Sequence, residues 1–175
     1  MTLAHAIQGL KAKNEGARFE KLFEAACLSR SIACTRFPDG CRQVGAYKLV
    51  RIKTPWDWVL SMNGRAAFID TKSCNDNSFP HSHIEAHQID AMLMHEAAGN
   101  FAGYVIWFRK PDLVIFMPAS QLKPRIGERG SVRPDEKFLI NLGPVATHDP
   151  RRIFAARGMT DWMTKEIEIN GDPRN

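Results

Sequence analysis

The stretch from Thr54 to Ser73, TPWDWVLSMNGRAAFIDTKS, constrains the fold most, because Asn63-Gly64 near its centre is a strong short-range hairpin signal. A two-residue type I′ turn needs positive φ at both positions, and Asn and Gly tolerate it best. The dipeptide therefore predicts two antiparallel strands. With Asn63 and Gly64 as the loop, Met62 faces Arg65, every later facing pair keeps the same sum of numbers, and Asp57 lies opposite Asp70. Side chains repeat every second residue along a strand, so Lys72 emerges on the face of Asp70, one step further on. A four-residue loop preserves this register, whereas a three-residue loop breaks it.

Facing residues have Cβ atoms about 5 Å apart, where two carboxylates repel by roughly 3 kcal/mol at an effective dielectric near 20. That exceeds the roughly 0.2–1 kcal/mol of a good cross-strand pair, so the acids need compensation. A divalent cation supplies it in one reading, since Mg²⁺ binds through one or two carboxylates and several waters. In the other, Lys72 neutralises the pair as a solvated ion triad on an exposed sheet face.

At 175 residues the chain suits one domain, 1–175, large enough to bury its own core. Lys and Arg number 24 against 19 Asp and Glu, and the net charge of +5 favours a polyanionic partner such as nucleic acid. No apolar run approaches a membrane span and the N-terminus lacks a signal-peptide pattern, so the expectation is a cytoplasmic protein without membrane contact. Cys27, Cys34 and Cys41 recur every seven residues and Cys74 stands apart. That spacing matches no familiar zinc site, and all four read as reduced structural thiols.

Taken in order, residues 1–12 read as a loose lead-in and Lys13 to Arg30 as an amphipathic helix with Asn14 as its cap. Glu20 lies near the edge of the apolar stripe formed by Phe19, Leu22, Phe23, Ala26 and Cys27. A short strand follows at Ser31 to Arg36. The segment 37–53 then reads as a basic projection: with Arg36 just before it, Arg42, Lys48, Arg51 and Lys53 face a single acid, Asp39. Such a projection beside a cation site suits a phosphodiester substrate.

After the hairpin and a polar connection, Ile84 to Ala98 reads as a helix ended by Gly99-Asn100. Phe101–Phe108 and Leu113–Met117 are continuous apolar runs expected as buried strands. Residues 118–137 read as a mobile basic loop or a helical turn followed by one, Phe138 to Leu142 as a short last strand, and 150–175 as a C-terminal helical extension. The order implies an α/β sandwich with a mixed central sheet flanked by helices. Trp56 and Trp58 flank Asp57 on the opposite strand face, which favours core packing for both, and Phe79 is also assigned to the core.

A carboxylate followed about a dozen residues later by acid-x-Lys on the partner strand of a hairpin is the pattern of the PD-(D/E)xK nucleases. Pro55-Trp56-Asp57 and Asp70-Thr71-Lys72 fit it. Beyond that pattern the chain resembles the RecU family of Holliday junction resolvases, through TPWDW, NGRAAFIDTKS, SFPHSHIEAHQIDAM and more loosely NLG at 141–143. The resemblance spans about Gly16 to Gly143 and is densest from Thr54 to Met92. It implies a restriction-endonuclease-like core in a homodimer that cuts paired strands of branched double-stranded DNA, the four-way junction, with Mg²⁺ as cofactor and Mn²⁺ able to substitute.

Carried over by position, Asp57 and Asp70 resemble the family's metal ligands, Lys72 its catalytic lysine, Glu20 its helix-borne acid and Gln88 its glutamine near the site. The carbonyl of Thr71 joins the implied metal set. Departures exist. Asp70 stands where the family usually has glutamate, and Thr54-Pro55-Trp56 replaces a threonine-rich entry. The segment 37–53 stands where the family has a stalk that enters the junction.

The histidines His81, His83, His87 and His95 offer a second cation hypothesis, since His83 and His87 are one helical turn apart and can bind Zn²⁺. HSHIEAH has no established hydrolase spacing, however, and His83 and His87 are better read as DNA contacts beside Arg36, Arg42, Lys48, Arg51 and Lys53. Two rivals remain: another endonuclease of this superfamily, of nicking-repair or restriction type, and a non-catalytic DNA-binding module whose acidic cluster is structural.

Overall fold

Two long apolar runs set the architecture, because strands buried on both faces need cover above and below. In a computed structural model of the chain, residues 3–37, 39–44, 48–62, 64–136 and 140–143 are described. The elements are α1 (Leu3–Ser29), β1 (Ala33–Arg36), β2 (Gly40–Val44), β3 (Lys48–Ile52), β4 (Trp58–Met62), β5 (Arg65–Cys74) and β6 (Phe79–Pro80). They continue with α2 (Ala86–Ala97), β7 (Phe101–Phe108), β8 (Leu113–Pro118), α3 (Ala119–Leu122), β9 (Ser131–Val132) and β10 (Ile140–Gly143). Six strands form one sheet in the order β1-β4-β5-β7-β8-β10. Only its β5–β7 pair is parallel, so the sheet is mixed as expected.

The hairpin register holds. Met62 pairs with Arg65 and the ladder continues to Trp58 with Ile69, while Gly64 sits at φ +75°. Asn63 lies outside the described residues. A parallel pair cannot be closed by a tight turn, so the chain between β5 and β7 must cross over the sheet, and α2 lies on that crossover.

Alternation along the strands divides the core in two. Trp58, Leu60, Ala67, Ile69, Val105 and Trp107 pack with Phe19, Phe23, Ala26 and Cys27 of α1. Tyr104, Ile106, Phe108, Ile115 and Met117 pack instead with Ile89 and Met92 of α2 and Leu122 of α3. Phe23 meets Trp58 at 6.0 Å between ring centroids and Phe19 meets Trp107 at 5.5 Å. Each such aromatic contributes about 1.5–3 kcal/mol by burial.

Several expectations change. Helix α1 begins at Leu3 and runs through the stretch read as a loose lead-in, so Asn14 lies inside the helix and caps nothing. Trp56 and Trp58 do not share a face: Trp58 is in the α1-side core, whereas Trp56 packs on Phe68 and His95 on the α2 side. Residues 53–57 precede β4 and are not extended strand, so the two-residue alternation does not reach back across Asp57. Of the two readings of 118–137, the one that opens on a helical turn fits, with more order after it than a loop. The stretch holds α3, a 3₁₀ turn at Lys123–Arg125, and β9, which pairs with β6. Two backbone amides at the start of α3, Ala119 N–H and Ser120 N–H, donate to the Glu96 carboxylate of α2 at 2.9 and 3.0 Å.

The basic segment forms a separate two-stranded sheet, β2 with β3, Gly40 pairing with Ile52 and Val44 with Lys48. The expected C-terminal helix lies outside the described residues, and of the expected strand Phe138–Leu142 the described part is β10, antiparallel to β8. Among the described residues no helix is long and apolar enough to cross a membrane.

Gly103 of β7 shows how closely the central strands approach. A Cβ there would collide with the Met117 carbonyl oxygen of β8, a backbone atom that cannot swing aside. Gly103→Ala should lower unfolding stability by about 1–3 kcal/mol in urea denaturation, the ordinary cost of overpacking. An unchanged midpoint would show that the β7–β8 contact yields more readily than described.

Candidate functional site: two aspartates and a lysine on the central hairpin

Asp70 is an ionisable group in the core. It lies on β5 at 1% exposure, opposite Tyr104 in the parallel register, on the face covered by α2. Gln88 Nε2 of α2 donates to its Oδ1 at 2.9 Å. Lys72 Nζ lies 2.6 Å from Oδ2 as an ion pair, and that oxygen is fully buried. Burial is the largest influence on this carboxyl and pushes its pKa up from 3.8 to about 7, against the pull of Lys72 and with a smaller push from Asp57. The exposed, solvated ion triad is therefore not what forms.

Asp57 lies just before β4, one residue past the Trp58–Ile69 pair that ends the ladder. Its N–H donates to Ile69 O at 2.9 Å, and its carbonyl accepts from Phe37 N–H at 2.7 Å. Its Oδ2 accepts from both the backbone N–H and the hydroxyl of Thr71, each at 2.9 Å. The two aspartates thus keep separate donors, Thr71 for Asp57 and Gln88 with Lys72 for Asp70. They remain close enough for the charge of Asp57 to oppose ionisation of Asp70.

A polar chain lies behind Asp70. Tyr104 hydroxyl donates to Gln88 Oε1 at 2.6 Å and accepts from Glu85 N–H at 3.1 Å. Lys72 Nζ stands 5.1 Å from the Tyr104 ring centroid, within cation–π reach. Lys72, Ser73, Phe79, Ser82, His83 and Glu85 line an open cleft. Neither Tyr104 nor Glu85 is a site candidate from the sequence. Tyr104 is hidden inside the apolar run FAGYVIWF, and Glu85 reads as an ordinary helix-start acid.

The remaining candidates divide. Glu20 of α1 is half-buried and paired with Arg36 of β1; burial raises its pKa, the Arg36 guanidinium lowers it, and the charge of Asp57 raises it again. Arg36 also lies 5.6 Å from the Trp58 ring centroid. Lys53 pairs with Glu85 at 3.0 Å at the rim of the cleft, and His87 Nδ1 lies 3.7 Å from the same carboxylate. His83 meets Phe79 edge-on, whereas His95 stacks on Phe68 at 3.5 Å, so the histidines serve different neighbours. The backbones of Arg42, Lys48 and Arg51 lie in β2 and β3, and their side chains lie outside the described ones.

Among the described residues, no three His, Cys, Asp or Glu side chains gather as a cation site. This gives no support to zinc; Glu20 is turned to Arg36 while still feeling the charge of Asp57. Asp57 and Asp70 do fit a hard cation that takes one or two carboxylates and completes its shell with water. The buried Asp70 Oδ2, met by the Lys72 ammonium and by no other described group, is the atom that carries this fit.

A carboxyl whose folded-state pKa exceeds its unfolded value stabilises the fold below the unfolded pKa, and that contribution is lost as pH rises through the folded value. For Asp70 the window runs from 3.8 to about 7. Asp70→Asn, which cannot ionise, should therefore be more stable than wild type in metal-free buffer at about pH 8, by roughly 1–3 kcal/mol, with the advantage fading toward about pH 4. Thermal melts across that range read it, and a gap that does not vary with pH would contradict the burial argument.

A solved structure of Hjc from Archaeoglobus fulgidus, a Holliday junction resolvase from an archaeal hyperthermophile, is similar at 16% identity over 68% of this chain and 88% of that chain, with a TM-score of 0.47. No protein of curated function matches the chain. The family model described as Recombination protein U matches residues 44–134, more than half of the 175. That range contains Asp57, Asp70, Thr71, Lys72 and Gln88, and leaves Glu20, Arg36 and Arg42 outside it. With the two aspartates and the lysine gathered on the matched hairpin, the chain belongs to the RecU family of Holliday junction resolvases whose motifs it resembles.

Proposed function

We propose that this chain is a metal-dependent, structure-selective DNA endonuclease that resolves four-way junctions by paired symmetric nicks, hydrolysing phosphodiesters to leave 5′-phosphate ends. The observation that carries the reading is the buried Asp70 carboxylate, flanked by Asp57 and Lys72 on one hairpin. Its surroundings push its ionisation up toward neutrality, a poor arrangement for stability and a suitable one for holding a cation.

Asp57 and Asp70, with the Thr71 carbonyl, would hold Mg²⁺, and Mn²⁺ in its place. When bound, the ion lowers the pKa of a water and offsets charge on the phosphoryl oxygens. The chain's own groups do the rest. Thr71 fixes the Asp57 carboxylate through two donors. Gln88 occupies Asp70 Oδ1 and leaves Oδ2, paired with Lys72, as the oxygen a cation would take. Lys72 lines the cleft, where its ammonium can orient the attacking water or neutralise charge building on phosphorus oxygens. Glu20 stands by as a further acid once Arg36 moves to a phosphate.

Arg42, Lys48 and Arg51 on the β2–β3 hairpin, Lys53 at its base, and His83 and His87 near the cleft supply the positive or hydrogen-bonding surface for the DNA backbone. Two nicks related by symmetry call for two active sites, so the working unit is a homodimer.

A synthetic mobile four-way junction, incubated with and without Mg²⁺ or Mn²⁺ beside plain duplex, flaps and single strands, tests the reading. Paired nicks at symmetric positions should appear on the junction and require metal. Asp57→Asn and Lys72→Ala should each lower the rate about a hundredfold or more while leaving junction binding largely intact. Equal cutting of all substrates would favour another nuclease of the superfamily, binding without any metal-dependent product a DNA-binding module, and a monomer by sedimentation would remove the paired-nick mechanism.

A further inference from the structure

Tyr104 is fully buried on β7, among Ala102, Ile106 and Phe108, where phenylalanine would fill nearly the same volume with no polar atom to satisfy. A hydroxyl in such a place costs stability unless it is hydrogen-bonded, and this one is engaged twice. It accepts from Glu85 N–H at 3.1 Å and donates to Gln88 Oε1 at 2.6 Å. Gln88 Nε2 in turn donates to Asp70 Oδ1 at 2.9 Å.

The order of these bonds matters because one end of a side-chain amide only accepts and the other only donates. With the Tyr104 proton directed at Gln88, the amide oxygen must face Tyr104 and the NH₂ must face Asp70. A flipped amide would set its oxygen against a carboxylate oxygen and its NH₂ against the hydroxyl proton. The Tyr104 ring has a separate effect: it lies 5.1 Å below the Lys72 ammonium.

We propose that Tyr104 is the positioning residue of this site: its hydroxyl, fixed by the Glu85 amide, locks the Gln88 side chain so that Nε2 holds Asp70 Oδ1 and leaves Oδ2, now paired with Lys72, as the oxygen that takes a divalent cation. The inference rests on the reading of Asp70 as a metal ligand. It adds a residue with no place in the acid-x-Lys pattern and explains why Gln88 acts with one orientation only.

Tyr104→Phe keeps the ring, its packing and its contact with Lys72, and removes only the hydroxyl. Mg²⁺ is titrated into metal-free protein without DNA, followed by calorimetry and by the rise in Tm. Affinity should fall about tenfold, the usual scale for loss of a group that orients a metal ligand. Gln88→Leu removes the same donor from the helix side and should give the same loss. Adding Tyr104→Phe to Gln88→Leu should cost nothing further, since the lock then has nothing to hold.

On a four-way junction, the Mg²⁺ concentration for half-maximal cleavage by Tyr104→Phe should rise about tenfold, with the rate recovered at saturating ion. Wild-type affinity in Tyr104→Phe, wild-type affinity in Gln88→Leu, or additive losses in the double variant would each overturn the proposal. Where Tyr104→Phe does not fold, wild-type affinity in Gln88→Leu still overturns the proposal. Should wild type take up Mg²⁺ but leave junctions uncut, the resolvase reading falls and the positioning role is still decided by the binding arm. Should wild type bind no Mg²⁺, both fall together.

Discussion

The structure depends on keeping one carboxylate, Asp70, inside an otherwise apolar α/β core. A charge so placed is tolerated only with partners close at hand, and here each comes from a different level of the fold. Lys72 arrives from the same strand, two residues on, by the pleat. Tyr104 arrives from the next strand by parallel register. Gln88 arrives from the helix that the parallel pairing requires, because β5 and β7 cannot be joined without a crossover. Replace the parallel pair by a hairpin and the chain loses the element that brings Gln88 over the sheet.

The two sides of the sheet are correspondingly unequal. The α1 side is packed by Phe19, Phe23, Trp58 and Trp107, and its contribution is mainly the burial that offsets the cost of the other side. On the α2 side the same kind of apolar packing surrounds Tyr104, Gln88 and Asp70, so water is kept from the network and each of its bonds is strengthened by low dielectric. Asp57 lies between these regimes, partly exposed and held by Thr71.

What the sequence made legible was whatever local rules decide. Asn-Gly fixes a loop length and loop length fixes register, which the ladder keeps from Met62–Arg65 to Trp58–Ile69, with Asp57 one residue beyond its end. The long apolar runs identify β7 and β8 because their length and composition suit no exposed element. The α1 start is not legible because Gly9 and a cap-like Asn14 both suggest a later beginning, yet the helix runs through them from Leu3. Trp56 was assigned to the wrong face because strand alternation was carried past the end of the strand. Tyr104 was invisible for a related reason: in a run of buried residues, nothing local separates a tyrosine that packs from one whose hydroxyl is aimed at a helix not yet placed.

The basic hairpin is joined to the site through its base. Thr54 N–H donates to Asp39 Oδ1 at 3.1 Å and Thr54 Oγ1 to the Phe37 carbonyl at 3.2 Å, closing the chain below β2 and β3. Phe37 N–H then donates to the Asp57 carbonyl at 2.7 Å, and Lys53 reaches Glu85 at the cleft rim. The same few residues that end the hairpin therefore set the backbone of the first aspartate. Backbone bonds of this kind fix spacing more tightly than long side chains do, since they carry little rotamer freedom to lose. A polyanion engaged along β2 and β3 would thus stand at a distance from Asp57 that the fold sets.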